Sequence, residues 1–226
     1  MIIINGASRG IGKFLFDKYI EKGEKVLGTY NCTKPDKYIE NYFQVDVRSI
    51  DSIKSFIKEN LNQMEEIVLY NCAGANYNAL AHKVDIDEWT NVININLIGT
   101  FAFINSVLPI MREQKYGRII NFSSVVAQKG IPGTSAYSAS KSALWGLAKS
   151  IASENANNGI TINNLNLGYF NIGMIENVSK KYQEAILKQI PANQFGNPQE
   201  IYNACEFLRN NNYMNGSSID INGGLV

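Results

Sequence analysis

The stretch that decides the fold is residues 1–12, MIIINGASRGIG, in which an apolar run leads directly into three spaced glycines. The apolar run predicts a buried strand, and an amphipathic helical pattern starts within the glycines. Gly6 permits a tight turn, Gly10 lets backbone N–H groups approach a pyrophosphate, and Gly12 allows close packing of helix on strand. The helix N-terminus adds partial positive charge. The stretch therefore predicts a phosphate-binding turn, with an ordinary glycine-rich connection as the alternative.

Apolar, β-rich runs and helical patterns alternate from one end of the chain to the other. The predicted strands are Met1–Asn5, Lys25–Tyr30, Tyr42–Val45, Glu66–Asn71, Gly117–Ser123, Ile160–Asn166 and Ser218–Ile221. The predicted helices include Gly10–Glu21, Ser49–Asn60, Thr100–Glu113, Tyr137–Asn155 and Pro198–Leu208. Apolar residues at steps of three and four, as in Ile50, Ile53 and Ile57, indicate helices with one buried face.

Continuous apolar strands separated by helices are typical of a parallel sheet that is covered on both faces. Right-handed crossovers then give an α/β fold, a doubly wound Rossmann-type sheet of about seven strands flanked by helices. In such a sheet, ligands bind at the carboxyl ends of the strands. No repeat, low-complexity tract or linker divides the sequence, so we predict a single domain over residues 1–226.

Composition and charge exclude several classes of protein. Of the 226 residues, 45% are hydrophobic and 18% are charged, so a sizeable core can form and global disorder is excluded. The net charge of +1 gives no electrostatic argument for a nucleic acid or an anionic membrane as partner. Apolar runs such as Ile67–Tyr70 are far shorter than the roughly 20 residues that span a bilayer. No leader pattern is recognised, so we expect a cytoplasmic protein.

Cysteine and histidine usage narrows the chemistry further. Cys32, Cys72 and Cys205 are an odd, scattered set that offers no disulfide framework, as suits a reducing compartment. His82 is the only histidine, which argues against a histidine-based zinc site and against a Ser-His-Asp hydrolase. No metal site is predicted. Asn is unusually abundant, so only its position can make an individual Asn informative.

The end of the second predicted strand indicates which dinucleotide binds. In NAD-binding Rossmann folds, an acidic residue near this point holds the 2′-hydroxyl of the adenosine ribose. Residues 28–34 read GTYNCTK and contain no acid. Arg9, inside the glycine turn, is placed to meet a 2′-phosphate, with a solvated surface charge as the alternative. The missing acid and the present cation together favour NADP(H) over NAD(H).

A tyrosine and a lysine are placed on one face of a predicted helix. Tyr137 and Lys141 stand at positions i and i+4, and Ser124 precedes them, where the fifth predicted strand ends. A phenol has a pKa of about 10. One ammonium about 4 Å away favours the phenolate by roughly 4 kcal/mol, which lowers the pKa by up to about 3 units. Tyr137 is therefore a candidate general acid for a carbonyl oxygen that receives hydride, worth about 10²–10⁴ in rate.

Several segments together resemble the short-chain dehydrogenase/reductase family in order and approximate spacing. They are the glycine turn, NCAG at 71–74, NINLIG at 94–99, Ser124, YSASK at 137–141, FGNPQEI at 195–201 and INGG at 221–224. A Tyr-x-x-x-Lys pair alone would be weak evidence for the family, because such a pair occurs by chance on many helices. The combination is highly specific, and the resemblance covers essentially the whole chain.

The resemblance implies a catalytic tetrad and a set of cofactor contacts. Tyr137 would be the acid/base, and Ser124, which its interval to Tyr137 favours over the adjacent Ser123, would hydrogen-bond the substrate oxygen. Lys141 would lower the pKa of Tyr137 and hold the nicotinamide ribose, and Asn96 would order a water in the proton relay. The implied NADP(H) contacts are Gly6, Ser8, Arg9, Gly10, Ile11, Gly12, Asn31, Asp46, Val47, Asn71, Ala73, Gly74, Tyr137, Lys141 and Gly168.

Two stretches depart from the family pattern. After the sixth predicted strand, Leu167 replaces the usual Pro, and Ile172 stands where a Thr hydroxyl usually meets the cofactor. Asn171 is a possible substitute for that hydroxyl. Residues 31–41, between the second and third strands, are too few for a full crossover helix, so we expect a loop or a single turn there.

The function that the resemblance implies is NADPH-dependent reduction of a small-molecule carbonyl. Asn78-Ala79-Leu80 and Asp87-Glu88-Trp89 look most like the 3-oxoacyl-acyl-carrier-protein reductases of fatty-acid synthesis, whose substrate is a 3-keto thioester on a carrier protein. The alternatives are a sugar, a polyol or another small ketone, which the substrate loop at 169–195 would decide. A regulator that senses NADP(H) without turnover is a third hypothesis, which the Ser124, Tyr137 and Lys141 set disfavours.

Small residues on the predicted helix Tyr137–Asn155 indicate an assembly. Ala139, Ala143, Gly146, Ala148 and Ala152 are spread around much of its circumference, so close packing is possible on two sides. One side would meet the sheet and the other a second subunit. The alternative is that all five face the sheet. With the family resemblance, this favours a homo-oligomer, a tetramer or else a dimer.

Overall fold

The protein is built on one parallel seven-stranded sheet with the strand order β3-β2-β1-β4-β5-β6-β7. The computed structural model describes residues 1–226, except for the side chains of residues 174 and 177. The strands are β1 (Ile2–Asn5), β2 (Val26–Tyr30), β3 (Tyr42–Gln44), β4 (Val68–Asn71), β5 (Gly117–Ser124), β6 (Ile160–Leu167) and β7 (Ser218–Ile221). This confirms the predicted doubly wound Rossmann-type α/β fold.

Helices cover both faces of the sheet. They are α1 (Gly10–Glu21), α2 (Ile50–Asn60), α3 (Ile86–Ile93), α4 (Thr100–Gln114), α5 (Val125–Lys129), α6 (Ser135–Asn155), α7 (Lys180–Leu187) and α8 (Pro198–Asn210). One core lies between the sheet and α2, α4 and α6, and a second lies between the sheet and α1 and α8. Alternate residues of the strands β1 to β6 contribute to the two cores, so Ile3 packs into the first and Ile4 into the second.

The connection between β2 and β3 holds only a 3₁₀ turn, Ile39–Asn41, as the sequence predicts. An aromatic pair occupies the adjoining face of the sheet. The Phe16 and Tyr42 ring centroids are 4.2 Å apart, and the Tyr42 hydroxyl donates to the Ala7 carbonyl at 2.9 Å. Tyr42 thus ties β3 directly to the glycine turn.

The helices α3 and α4 form one continuous helix, Ile86–Gln114, through a π-helical turn at Asn94–Gly99. Within the described residues, this helix is long and apolar enough to cross a membrane by length and composition alone, with a mean hydropathy of 1.5. One such helix is weak support for a membrane span, because a core helix can pass the same test. Ile86, Ile98 and Phe101 are exposed on it, although α4 also contributes to the core.

The segment after β6 builds a small apolar cluster of its own. A 3₁₀ turn, Gly173–Asn177, and α7 lie within the predicted substrate loop at 169–195. Ile175, Ile186 and Ile190 pack with Val125, which directly follows β5. The loop is therefore anchored beside the carboxyl end of β5.

Candidate active site

The glycine turn brings three backbone segments into close contact. Gly6 has φ +80°, and a Cβ there would lie 2.6 Å from the Ala73 backbone. A Cβ on Gly12 would lie 2.1 Å from the Gly6 carbonyl oxygen, so α1 packs on the turn only because Gly12 has no side chain. The turn is held to β2, since Ala7 N–H donates to the Thr29 carbonyl at 2.7 Å. These close approaches fit the backbone cradle that a dinucleotide pyrophosphate requires.

Arg9 lies exposed at the N-terminus of α1, in extended backbone before the first helical turn. The first turn of α1 carries no acidic residue, so no carboxylate in that turn offsets the positive potential there. Asn31 is exposed just after β2, and its carbonyl accepts from the Gln44 side chain at 3.0 Å. The structure thus places both residues after neighbouring strands, at the carboxyl edge of the sheet.

Asp46 and Val47 follow β3, and they differ in their surroundings. The Arg48 side chain donates to the Asp46 carboxylate at 2.7 Å, and this hydrogen bond lowers the pKa of Asp46. Val47 is buried, and it packs so closely on Gly99 that a Cβ on that glycine would lie 2.9 Å from it. Asp46 is therefore held in place at the carboxyl edge, and Val47 links that edge to the π-helical turn.

Tyr137, Lys141 and Ser124 meet where β5 ends beside α6. Ser124 is the last residue of β5, and its hydroxyl accepts from Val126 N–H at 3.2 Å, which caps α5. Lys141 is buried, with its Nζ 5.7 Å from the centre of the Tyr137 ring. The same Nζ donates to the Phe122 carbonyl at 2.7 Å. The helix spacing and the strand end bring together the three residues that the sequence singles out.

Burial shifts the pKa values of both Tyr137 and Lys141. It raises the pKa of Tyr137 to about 12, while a hydrogen bond with Ser124 acts in the opposite direction. It also lowers the pKa of Lys141 to about 8. The lowered Tyr137 pKa that the sequence predicts is therefore wrong, since burial raises the pKa instead. Desolvation of the phenolate is the largest cause of the shift, and Lys141 Nζ is turned toward the Phe122 carbonyl.

Asn96 is fully buried in the π-helical turn and holds the loop that follows β4. Its Oδ1 accepts from Ala75 N–H at 2.8 Å, and its Nδ2 donates to the Ala75 carbonyl at 2.9 Å. The Nδ2 also donates to the Ser140 hydroxyl on α6, at 3.0 Å. A Cβ on Gly74 would lie 3.5 Å from Asn96 Oδ1 and 3.9 Å from Lys141 Nζ. Asn96 thus ties the loop to the catalytic helix.

Sequence comparison identifies relatives of this chain. A family model described as short chain dehydrogenase matches residues 1–183. The chain belongs to the short chain dehydrogenase family. It is 35% identical to the 3-oxoacyl-[acyl-carrier-protein] reductase FabG of Staphylococcus aureus, covering 99% of this chain and 96% of that protein. The corresponding proteins of Salmonella typhimurium and Escherichia coli are 33% and 32% identical, with the same coverage.

Family membership confirms the resemblance seen in the sequence. It makes this short chain dehydrogenase an NADP-dependent oxidoreductase, as predicted. Of the further cofactor contacts implied by the resemblance, Gly168 packs so tightly that a Cβ would lie 2.7 Å from the Asn222 backbone. Asn71 is buried at the end of β4, and Ala73 lies against Gly6. These positions line the carboxyl edge from β1 to β6.

The stretch that departs from the family pattern keeps its strand. Leu167 is the last residue of β6, buried and paired in register with Ser124. Ile172 packs at the edge of the core on the α1 side, whereas Asn171 is exposed. Leu167 therefore extends the strand by ordinary pairing where a Pro would lack an N–H donor.

Tyr169 is a residue of this short chain dehydrogenase that sequence reasoning passed over. It lies two residues beyond β6, and its phenol is close enough to contribute to the raised pKa of Tyr137. Burial raises the pKa of Tyr169 as well. The only signal in the sequence was its place just after Gly168, in a loop that follows no readable rule.

Proposed function

We propose that this enzyme reduces the 3-oxo group of an acyl thioester to an alcohol with NADPH, with Tyr137 as the general acid. The observation that carries the proposal is the meeting of Tyr137, Ser124 and Lys141 at the carboxyl end of β5. The relatives named as 3-oxoacyl-[acyl-carrier-protein] reductases support the substrate class. Fatty-acid synthesis is then its place in metabolism.

The chain's own groups can perform the proton transfer. NADPH supplies the hydride when bound. Because its pKa is about 12, Tyr137 is a neutral phenol near pH 7 and can donate its proton to the carbonyl oxygen. Ser124 would hydrogen-bond that oxygen and orient it toward the phenol. Lys141, protonated below pH about 8, would stabilise the phenolate left behind.

The residues proposed to hold NADPH lie along the carboxyl edge. The backbone of the glycine turn, with Ser8 and Ile11, would bind the pyrophosphate at the start of α1, and Arg9 and Asn31 would meet the 2′-phosphate. Asp46 and Val47 would border the adenine, and the Asn71–Gly74 segment would border its ribose. Lys141 and Gly168 would lie at the nicotinamide end. Asn96 would keep the π-helical turn in place, and its water-ordering role stays a prediction.

A substrate panel tests the proposed function. NADPH oxidation would be followed with a 3-oxoacyl thioester, free and on its carrier protein, and with a ketose and simple ketones. We expect the highest kcat/KM for the thioesters. A higher kcat/KM for a ketose would replace the substrate class while keeping the chemistry. Tight NADPH binding without turnover of any carbonyl would favour a nucleotide sensor instead.

Arg9→Ala is expected to weaken NADPH binding by about ten- to a hundredfold and to leave NADH nearly unaffected. A hydrogen bond to a charged group contributes roughly 1.5–3 kcal/mol, and only NADPH carries the 2′-phosphate. The measurement is kcat/KM for both cofactors in wild type and variant, with Lys18→Ala, on the helix that follows Arg9, as a matched loss of charge. Equal losses for the two cofactors would mean that Arg9 supports the turn rather than reads the phosphate.

We also propose that the enzyme is a homo-oligomer, a tetramer or else a dimer, rather than a membrane protein. Ala148 and Ala152 face the sheet, but Ala139 and Gly146 are exposed, so the small residues of α6 serve two sides. The exposed apolar residues of the Ile86–Gln114 helix give a second copy apolar area to cover. A cytoplasmic location stays a prediction.

Gly146→Leu is expected to disrupt this assembly without unfolding the subunit. A Cβ at Gly146 meets nothing within 4 Å, and replacing Gly within a helix stabilises it by roughly 0.5–1 kcal/mol. Light scattering should give a smaller particle for the variant than for wild type. Lys58→Leu, at an exposed position of α2, is the control. A wild-type monomer, or an unchanged particle in Gly146→Leu, would contradict the proposed interface.

A further inference from the structure

A row of amide side chains crosses the sheet at one level on its α4 and α6 side. The asparagine row consists of Asn5, Asn71, Asn121 and Asn164, one each from β1, β4, β5 and β6. The strand register places every member directly beside the next. All four are almost completely buried, on the side of the sheet whose core is built from apolar side chains.

The row is joined by hydrogen bonds that all run in one direction. Asn5 donates to Asn71 at 3.4 Å, Asn71 to Asn121 at 2.8 Å, and Asn121 to Asn164 at 3.1 Å, each from Nδ2 to Oδ1. Every bond thus uses the donor of one strand and the acceptor of the next. The four amides form an unbroken chain of about 14 Å, given a strand spacing of about 4.8 Å.

The two ends of the asparagine row reach the two halves of the active site. At one end, Gly6 N–H of the glycine turn donates to Thr29 Oγ1 at 3.1 Å, and Thr29 donates to Asn5 Oδ1 at 3.3 Å. At the other end, Asn164 Nδ2 donates to the Leu144 carbonyl of α6 at 3.3 Å and to Ser218 Oγ of β7 at 3.0 Å. The row therefore connects the turn proposed to hold the pyrophosphate with the helix that carries Tyr137 and Lys141.

A second polar contact fixes α6 one level nearer the carboxyl edge. The Ser123 hydroxyl donates to the Lys141 carbonyl at 3.0 Å. Trp145 Nε1 donates to Ser123 at 3.1 Å and to Asn166 Oδ1 at 2.9 Å. The side of α6 that faces the sheet thus makes side-chain hydrogen bonds at two successive levels, and these bonds join it to both β5 and β6.

Hydrogen bonds are directional, so they can fix the position of α6 along the sheet more closely than apolar packing can. Hydrophobic contact is non-directional, so a helix packed by aliphatic groups alone tolerates small shifts along the sheet. A buried amide loses its partners when the helix shifts, and an unpartnered polar group is costly. A misplacement of about 1 Å can cost about a hundredfold in rate. Hydrogen bonds across the sheet therefore suit the task of holding two reacting groups in register.

We propose that the asparagine row is a positioning network that fixes the cofactor-binding turn relative to the catalytic helix, with Asn164 as the positioning residue on the helix side. The inference rests on the proposed function, since it takes Tyr137 and Lys141 as the catalytic pair. Asn5 is the corresponding residue on the cofactor side. Asn5 would act on the Gly6 N–H through the Thr29 hydroxyl, and Asn164 would act on the Leu144 carbonyl.

A double-mutant cycle tests the network. Asn164→Ala is expected to lower kcat by about ten- to a hundredfold while the Kd for NADPH stays within about threefold, because outside the row it loses bonds to α6 and β7 and none to the cofactor-binding turn. Asn5→Ala should lower kcat and also weaken NADPH binding. Sites about 14 Å apart normally have independent effects. If the row acts as a unit, the double variant should be no more than about threefold slower than the slower single variant.

Asn163→Ala is the matched control. Asn163 is the neighbouring buried asparagine on the opposite face of β6, where it bonds the Met214 carbonyl and Ser217 N–H. Its loss should lower the unfolding midpoint, leave kcat within about twofold, and multiply with Asn5→Ala. If Asn164→Ala does not fold, Asn164→Ser replaces it, since its hydroxyl keeps a polar group beside Asn121 but is too short to reach Leu144.

The possible outcomes distinguish a failure of the proposed positioning role from a failure of the proposed function. Multiplicative effects of Asn5 and Asn164, or a kcat for the Asn164 variant that matches the Asn163 control, would overturn the positioning role. Wild-type activity that survives Tyr137→Phe would instead overturn the proposed function. If Tyr137→Phe abolishes activity and the effects of the Asn5 and Asn164 substitutions on kcat are non-additive, both the proposed function and the positioning network are supported.

Discussion

Tyr137→Phe is expected to lower kcat for carbonyl reduction by about 10²–10⁴-fold while NADPH binding stays within about threefold. The variant lacks the proton that the carbonyl oxygen must receive in the transition state. The ring is nearly buried and its carbon skeleton is unchanged, so the packing of α6 should persist. The measurement is kcat with the preferred thioester, together with the Kd for NADPH from fluorescence titration.

Tyr169→Phe is the matched control for this prediction. It also removes a phenolic hydroxyl near the same site, but Tyr169 lies on the loop after β6 and outside the Ser124 and Lys141 set. We expect its effect on kcat to be about tenfold or less. If Tyr137→Phe retained activity within about tenfold of wild type, a loss of only about 1.4 kcal/mol, the acid role of Tyr137 would be wrong.

Lys141→Met is expected to lower kcat by about a hundredfold. Lys141 Nζ lies 5.7 Å from the centre of the Tyr137 ring, and an ammonium about 6 Å from a negative charge, at an effective dielectric near 20, stabilises it by about 3 kcal/mol. For wild type, the rate should fall as the pH rises through about 8, because burial lowers the pKa of Lys141 to that value. The variant should lack this inflection. A wild-type rate that stays flat to pH 10 would show that the charge of Lys141 is not needed.

The lowered pKa of Lys141 also leads us to expect that stability rises with pH, whereas the rate falls. Its folded pKa of about 8 is below the unfolded value of about 10.4, so the unfolded chain binds more protons between these pH values. Stability conferred through this group therefore rises with pH over that window, by about 3 kcal/mol in total. The free energy of unfolding of wild type, relative to Lys141→Met, should increase from pH 7 to pH 10. A constant difference would contradict the burial cost assigned to the ammonium.

The sequence predicted the sheet well because buried parallel strands are continuous apolar runs. Three helices were not predicted. The helix α3 carried a readable signal, since Asp85 caps it by accepting from Asp87 and Glu88 N–H. The helices α5 and α7 are too short for periodicity to distinguish them from loops, with five and eight residues.

The candidate site shows where sequence reasoning is limited. Helix spacing sufficed to pair Tyr137 with Lys141, but the pKa of Tyr137 depends on burial, which the spacing of residues does not reveal. The asparagine row was hidden for another reason. Asn is so abundant here that Asn5 or Asn121 carries no signal alone, and their alignment depends on strand register. Register follows from the packed sheet rather than from any one strand.

The order in which the chain folds follows from the short connection between β2 and β3. Gly28 on β2 pairs with Tyr42 across that one short loop, whereas Asn164 on β6 pairs with Ser218 only after α7 and α8 have been added. Closing a short loop costs less entropy, and pairings between residues close in sequence form faster. We expect the first three strands to be assembled while the ribosome is still adding β6 and β7. A newly made chain then has its cofactor-binding turn before its catalytic helix has a complete sheet to pack on.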